Sequence, residues 1–546
     1  MLNPQIQLEV FRDSTAELIV AESKCQLLLD ERLFKRRSRS TSIISFWKPE
    51  YVYMPTMPVN LHLNDKYNST SDCLTFQGSV VGFRLHLRCL HIHYLDITTR
   101  SFELAKNVTE LHLESVGRKL GRIEPLDNVR IDILKLSAPV LTVSWLNQLA
   151  RALNNSRIRS LSVKSFKKTR HDTLGAPFFL NLQETGLREL YIQNIGVDHI
   201  TPQMIGKLNL TTFQCQKCGF TSFPIDVIRL QPHLEALKLS ENEIFLLNLT
   251  EVLRLLPELR FLDLSHQGRS EITGLDTLAH SSLATLNLAH NKNILERKTA
   301  NFSGLVNLRN LDVSACSNVF NLQNLTVRNL VKLTSLIFDG NGAFITRDVE
   351  RVLQGLPNLK KLSLKQNYMR HMYGNLSRFL RPVGNTLETL YMAENKIEYL
   401  DENMFRYMKT IQILDMSHNR VKTIPRNSFS NSVITNIDLR SNLIETLDVE
   451  TFNHLPFLRR LFLSDNKFHC DCDLIAFQQW TKDQVSKRRL HIGPQPKCYA
   501  PAELKRDHVF VLKYVMPWIA CDHNLDMVVG AICAFVAVVL CIIWCY

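Results

Sequence analysis

A nine-residue pattern, L-x-x-L-x-L-x-x-N, returns ten times from Leu234 to Asn466, and a chain that repeats itself this way cannot be read as a string of ordinary globular domains. The copies are LEALKLSEN, LRFLDLSHQ, LATLNLAHN, LRNLDVSAC, LTSLIFDGN, LKKLSLKQN, LETLYMAEN, IQILDMSHN, ITNIDLRSN and LRRLFLSDN. Their ninth positions are Asn242, Gln267, Asn291, Cys316, Asn341, Asn367, Asn395, Asn419, Asn442 and Asn466, spaced 23 to 28 residues apart. Six weaker copies precede them: LRCLHIHYL, VTELHLESV, ILKLSAP, IRSLSVKSF, LRELYIQNI and LTTFQCQKC. In L-x-L the two apolar residues share the inner face of a short strand while x faces outward. One such unit leaves its core open on both sides, so units must stack. The ninth residue falls where the chain turns away from the strand, and an asparagine amide there can satisfy backbone groups that a buried turn leaves unpaired. Gln267, followed by Gly268, predicts a locally irregular turn.

This is the period of leucine-rich repeats. The expected fold is an α/β leucine-rich-repeat solenoid, a curved horseshoe with a parallel β-sheet on its concave face. Strands about 4.8 Å apart, one per repeat, would carry that sheet over roughly 75 Å. A surface of this extent suits a large ligand better than a small metabolite. The net charge of +13 is spread over short clusters such as Lys35-Arg36-Arg37, Lys167-Lys168 and Lys487-Arg488-Arg489. Most of it reads as solvated surface, with attraction to nucleic acid or polysaccharide as the secondary reading.

A solenoid needs a lid at each end. After the last repeat the chain reads KFHCDCDLIAFQQW, with Cys470 and Cys472 followed by Cys498 and Cys521. Four cysteines allow three pairings. A zinc site is the other possibility, but no histidine or C-x-x-C accompanies the four at zinc spacing. The arrangement resembles the C-terminal flanking cap of extracellular leucine-rich-repeat proteins. That resemblance implies disulfides Cys470–Cys498 and Cys472–Cys521, with Leu474, Phe477 and Trp480 on one helical face closing the core. Cys73 and Cys89 precede the first repeat and are expected to form the N-terminal lid, whereas Cys25 has no evident partner. Cys215 and Cys218 form a C-x-x-C, but they fall on an inward and a ninth position, which predicts buried structural thiols. Cystines imply an oxidising compartment.

Eight glycosylation sequons agree with that compartment: Asn68, Asn107, Asn154, Asn209, Asn248, Asn301, Asn324 and Asn375. None lies on an outward L-x-L position, and none follows Asn375, a stretch that is expected to be free to meet a partner chain. Residues 527–546, MVVGAICAFVAVVLCIIWCY, carry no charge. As a helix they reach about 30 Å, the thickness of a bilayer core. A glycolipid-anchor signal is less well matched, because only a short polar spacer precedes them. The first 25 residues are broken by Glu9, Arg12, Asp13, Glu17 and Glu22, unlike a secretory signal, and no basic residue follows the apolar tail. The chain is therefore expected to lack its natural start and to stop short of its natural end. The expected organisation is an N-terminal segment (1–72), a cap with the first repeat (73–94), repeats (95–466), a cysteine-rich cap (467–522) and a transmembrane helix (527–546).

No catalytic constellation emerges: DLSH, NLAH and DMSH recur because the repeat places them on its strands. Neither metal nor cofactor is called for, and an enzyme is not expected. The expected contact surface is the set of outward strand residues Lys238, Asp263, Asn287, Asp312, Asp339, Lys365, Tyr391, Asp415, Asp438, Arg440 and Phe462, with a lateral site as the alternative.

The order of lid, repeat array, C-x-C cap and apolar segment, over residues 73 to 546, resembles the Toll and Toll-like receptor family. The resemblance implies a single-pass receptor at the plasma membrane or in endosomes with its repeats outside the cytoplasm. It would bind a protein or microbial ligand and form a homo- or heterodimer, bringing cytoplasmic Toll/interleukin-1-receptor domains together. Nucleic acid is the weaker ligand expectation. This sequence contains no such cytoplasmic domain, which leaves a cell-adhesion protein, a ligand-sequestering decoy and a co-receptor as alternatives.

Overall fold

The computed structural model describes most of residues 130–514 and, ahead of them, backbone strands between Cys25 and Ile123. The chain divides into two compact units, Met1–Ile294 and Leu295–Tyr546. In the first, a parallel ladder runs from Phe83–Cys89 through Val108–Ser115, Arg130–Ala138, Arg157–Ser165, Glu189–Gln193, Thr212–Gln216, Ala236–Lys238 and Phe261–Asp263 to Thr285–Asn287. In the second, it runs from Asn310–Asp312 through Ser335–Ile337, Lys361–Ser363, Thr389–Tyr391, Ile413–Asp415, Asn436–Asp438 and Arg460–Phe462 to His491–Ile492. This is an α/β leucine-rich-repeat solenoid built on parallel strands.

One register differs from expectation. The first L-x-L is Leu85-His86-Leu87, paired with Leu111-His112-Leu113, whereas Tyr94–Ile97 pairs sideways with Lys119–Ile123. LHLRCLHI holds two overlapping L-x-L motifs. Leu85 lies 26 residues before Leu111, inside the 23–28 period, while Leu90 lies only 21 before it. At the N-terminal edge Cys25–Leu28 pairs antiparallel with Phe83–Cys89, which covers an otherwise open ladder. Cys25 stands opposite Cys89 in that register, and Cys73 lies outside the described residues.

The turn chemistry repeats as faithfully as the strands. The eighth residue adopts a left-handed backbone in every clear copy, from Glu241 (φ 56°) through His266, His290, Ala315, Gly340, Gln366, Glu394, His418 and Ser441 to Asp465 (φ 58°). That conformation costs a non-glycine residue about 1–2 kcal/mol. The ninth side chain offsets it. Asn395 Nδ2 donates to the Leu364 carbonyl of the preceding repeat at 2.7 Å and to the Met392 carbonyl of its own at 3.0 Å, and its Oδ1 accepts from the Asn367 N–H at 3.0 Å. Asn242, Asn291, Asn419, Asn442 and Asn466 donate in the same two directions. Gln267 keeps the backward bond, Nε2 to the Leu239 carbonyl at 2.6 Å, and Gly268 beside it turns left-handed (φ 73°). Each of these ninth-position amides thus ties its repeat to the one before.

Inward leucines fill the core: Leu387, Leu390 and Met392 of one repeat are fully buried. In the second unit a file of phenylalanines backs them. Phe405, Phe429 and Phe452 follow one another at 5.5 and 6.4 Å between ring centroids, and Phe452 meets Phe477 (5.9 Å) and Trp480 (5.7 Å) of the helix Ile475–Ser486. Leu474 and Phe477 are fully buried, and Trp480 is half-buried. A disulfide joins Cys470 to Cys498. Cys472 is disulfide-bonded as well, and Cys521 lies outside the described residues. Cys215 and Cys218 are corrected by the structure: they form a disulfide rather than separate thiols. Lys217 between them is left-handed (φ 56°), which brings the two Cα atoms to 5.7 Å, within bridging range. Among the described residues no helix is long and apolar enough to cross a membrane, and residues 527–546 lie outside them.

Replacing Asn395 with alanine leaves the Leu364 carbonyl and the Asn367 N–H buried without their partner, while the Met392 carbonyl keeps its bond from Asn419. At about 1–3 kcal/mol for such a loss, amide hydrogen exchange is expected to rise in residues 364–397 and to stay unchanged in the cap. Uniform exchange across the unit would contradict this local account.

Candidate functional site

The outward residues of the ladder lie in two rows. The last residue of each strand, the x of L-x-L, forms the first: Asp312, Ile337, Ser363, Tyr391, Asp415, Asp438 and Phe462 stand side by side in register. The second, two residues on, holds Ser314, Asp339, Lys365, Ala393, Ser417, Arg440 and Ser464. All the described side chains of the expected contact set are half-buried except that of Arg440, which is exposed.

Exposure does not make these groups available. At the end of the strand the second-row N–H leaves the ladder and needs an acceptor. Asp263 Oδ1 takes the Ser265 N–H (3.0 Å) and hydroxyl (2.7 Å), Asp312 takes those of Ser314, and Asp415 those of Ser417. Asn287 accepts from the Ala289 N–H and Asp438 from that of Arg440. Where the first row has Ile337 or Ser363, the preceding repeat supplies the acceptor: Ser314 Oγ for the Asp339 N–H, and Asp339 Oδ1 for the Lys365 N–H and the Ser363 hydroxyl. Five expected contact residues, Asp263, Asn287, Asp312, Asp415 and Asp438, therefore hold their own turns, and Asp339 holds its neighbour's. The Asp-x-Ser spacing was the sequence signal for this role.

The groups left over gather in the second unit. Lys365 Nζ lies 4.4 Å from the Tyr391 ring centroid and 3.3 Å from Asp415 Oδ2, bridging three consecutive strands, and Lys361 approaches the same ring at 5.6 Å. Arg440 forms a bidentate pair with Asp438 and lies 5.3 Å over Phe462. Phe462 in turn rests on Gly493, where any Cβ would sit 2.2 Å from the ring. In the first unit Lys238 covers the Phe261 ring at 4.8 Å. The face is thus of mixed sign, with aromatic rings under cations. Among the described residues no group of histidine, cysteine or carboxylate side chains is placed to hold a metal ion.

The sequons lie elsewhere. Asn154 caps the C-terminus of helix Val143–Leu153, Asn209 and Asn248 are exposed, and the half-buried Asn301 accepts the hydroxyl of its own Ser303 at 2.6 Å. Asn375 opens helix Asn375–Leu380, and Asn68, Asn107 and Asn324 fall outside the described residues.

Parallel strands, left-handed eighth residues and the asparagine ladder define a leucine-rich-repeat protein. A family model described as BspA type leucine rich repeat region matches residues 384–472 in six copies. The chain is homologous to CD180 antigen of Mus musculus, 25% identical over 72% of this chain and 63% of the relative, and to Toll-like receptor 2 of Ovis aries, 22% identical over 77% of this chain and 52% of the relative. It thus spans less than two thirds of these relatives. Among solved structures it shares its fold with the mouse RP105/MD-1 complex, at TM-score 0.60 and 20% identity, covering 84% of this chain and 78% of that one. Sequence and fold together are consistent with a Toll-like-receptor-type leucine-rich-repeat ectodomain.

Burial raises the Asp339 carboxyl above the usual carboxylate range, against the hydrogen bonds from Ser363 and Lys365 and the Lys365 charge, which lower it. A carboxyl with a raised folded value holds its proton more tightly folded than unfolded, so its contribution is fully present at low pH and is lost as pH rises through the folded value. Asp339→Asn keeps the Oδ1 acceptor and removes the charge. The difference in melting temperature, variant minus parent, is expected to grow between pH about 4 and pH about 7. A flat or falling difference would show that the Lys365 charge outweighs burial.

Proposed function

We propose that this chain is the ligand-binding ectodomain of a Toll-like leucine-rich-repeat receptor, and that it takes a protein ligand on the open sheet face of the second unit. The carrying observation is the cluster of side chains that turn chemistry leaves over: Lys361, Lys365, Tyr391 and Arg440. Tyrosine and arginine are the residue types that dominate protein interfaces. Carboxylates at Asp312, Asp339, Asp415 and Asp438 interleave with them, a mixed pattern that suits a protein and repels a phosphate backbone. A fold relative crystallised as a complex with MD-1 supports a protein partner. On this reading residues 467–522 cap the array, 527–546 anchor it in a membrane with the repeats outside the cytoplasm, and the eight sequons carry glycans. On the same reading the ectodomain forms a homo- or heterodimer with another repeat receptor. Adhesion is the rival reading, and cell aggregation without a downstream response would favour it.

The test displays the full chain on cells, screens it against an array of secreted proteins and measures affinity for each binder. Lys365→Ala with Tyr391→Ala is expected to cost about 2 kcal/mol, or about thirtyfold in Kd. Arg370 and Arg420, which flank Glu398 outside the strands, serve as the lateral comparison. Binding that ignores the sheet pair and falls with Arg370→Ala and Arg420→Ala would move the site to the lateral face.

A further inference from the structure

Between the last repeats and the C-terminal cap lies an open cleft of about 1160 Å³. That is above the range of about 300–1,000 Å³ typical for small-molecule sites. Arg440 and Ser464 of the sheet face border it on one side, and its cap wall differs from them in kind. Lys497, Lys505, Tyr499 and Phe510 line it, and Asp465 is the one carboxylate among its described lining residues. Four ammonium groups converge on the two rings. Lys505 and Lys467 lie 3.8 and 5.4 Å from the Tyr499 centroid, and Lys513 and Lys497 lie 5.3 and 5.8 Å from that of Phe510. Lys365 and Arg440 on the sheet face are each paired with an aspartate, whereas none of these four lysines makes an ion pair among the described residues. Their combined field is felt locally: contact with Lys505 and the charges of Lys505 and Lys467 hold the Tyr499 hydroxyl below its usual value. The backbone beneath is fixed, because Cys498 is bridged to Cys470 and the strand Cys498–Ala500 pairs with Phe468–His469.

We infer that this cap cleft is a binding site for a sulfated polysaccharide, adjoining the sheet face at Arg440 but carried by the cap lysines and independent of the receptor reading. Four ammonium groups on a fixed scaffold, with no ion pair among the described residues, make a polyanion site. The ring faces decide between polyanions. Proteins that hold single-stranded nucleic acid stack bases on open aromatic faces. Here each ring already lies under two ammonium groups, so it serves to place cations rather than to receive bases. Sulfate esters ask only for point charges, which lysine supplies without the planar fork that arginine offers to carboxylate or phosphate. An acidic peptide would find charge here but few backbone partners, since the paired strand Cys498–Ala500 already commits its edge to Phe468–His469.

The experiment uses the full chain in detergent against immobilised heparin-derived oligosaccharides over a salt series. Binding that weakens with salt is expected for the parent chain. Lys497→Glu with Lys505→Glu should reduce affinity at least about tenfold and lower the slope of log affinity against log salt by about 2, by the counterion-release relation. Lys497→Gln with Lys505→Gln should show a smaller loss with the same change of slope, and it serves if the reversed pair disturbs folding, read from the melting curve and from recovery of the Cys470–Cys498 peptide. Arg229→Glu with Arg254→Glu makes the same change of net charge in the first unit and should stay within about twofold of the parent. Equal losses from both reversed pairs would reduce the effect to overall charge and overturn the site. So would a parent chain that does not bind. Stronger competition by polyuridylate or poly-L-glutamate than by heparin, lost with the cap pair, would assign the cleft to nucleic acid or acidic protein instead.

Discussion

Everything else in the two units depends on the bond from the ninth-position amides to a carbonyl of the preceding repeat. A strand of three residues, such as Thr389–Tyr391, offers too little ladder to fix its own register, and the chain must then turn inside the stack. The turn is reached through a left-handed eighth residue and buries carbonyls that water cannot reach. Asparagine is short enough to stay within the turn and long enough to reach both its own repeat and the one before. The constraint is one of reach and capacity more than of residue name. Gln267 meets it with one more methylene, and Cys316, which donates weakly to the Ser314 carbonyl at 3.3 Å, sits in a turn whose N–H group bonds instead to Asn341 of the next repeat.

The same shortage of backbone partners explains why the open face is less free than it looks. Strand ends need acceptors, and aspartate two residues before a serine provides them within a single repeat. When the first row loses its aspartate, at Ile337 and Ser363, the acceptor moves to the second row and crosses to the next repeat through Ser314 and Asp339. Contact potential therefore concentrates where the first row turns aromatic, at Tyr391 and Phe462, because an aromatic side chain cannot serve the turn and is left to face a partner or a cation.

The solenoid was legible from the chain because its signal is periodic: leucines at fixed positions and an amide at the ninth repeat often enough to outweigh single exceptions. Features that depend on one local choice were less so. The first register failed because Leu85-His86-Leu87 and Leu90-His91-Ile92 satisfy the same short motif, and only the spacing to Leu111 separates them. The bridge between Cys215 and Cys218 was missed because each was read singly by its place in the repeat: Lys217 is an eighth residue and left-handed like those of the clear copies, and the turn it makes sets the sixth and ninth positions within bridging range. Of the expected contact set, Lys365, Tyr391 and Arg440 share one face, but the carboxylates among them could not be seen as turn acceptors until the serine hydroxyls were placed. The cap cleft has no sequence signature, since Lys467, Lys497, Lys505 and Lys513 are scattered along the chain and meet only through the fold.

The positive charge of the chain is thus not one property. On the sheet face Lys365 and Arg440 are paired with neighbouring aspartates, so they add specificity of register and orientation while leaving little net field of their own. In the cap Lys467, Lys497, Lys505 and Lys513 stand over rings with no carboxylate partner among the described residues, so their field acts at a distance of about a Debye length, 8 Å at physiological salt. A partner on the face would be discriminated by shape and paired charges, and its affinity would respond weakly to salt. A partner in the cap would be gathered by charge density, with a steep salt response. One unit can present both kinds of surface because the repeat fixes the backbone in each, leaving the outward side chains to set the sign.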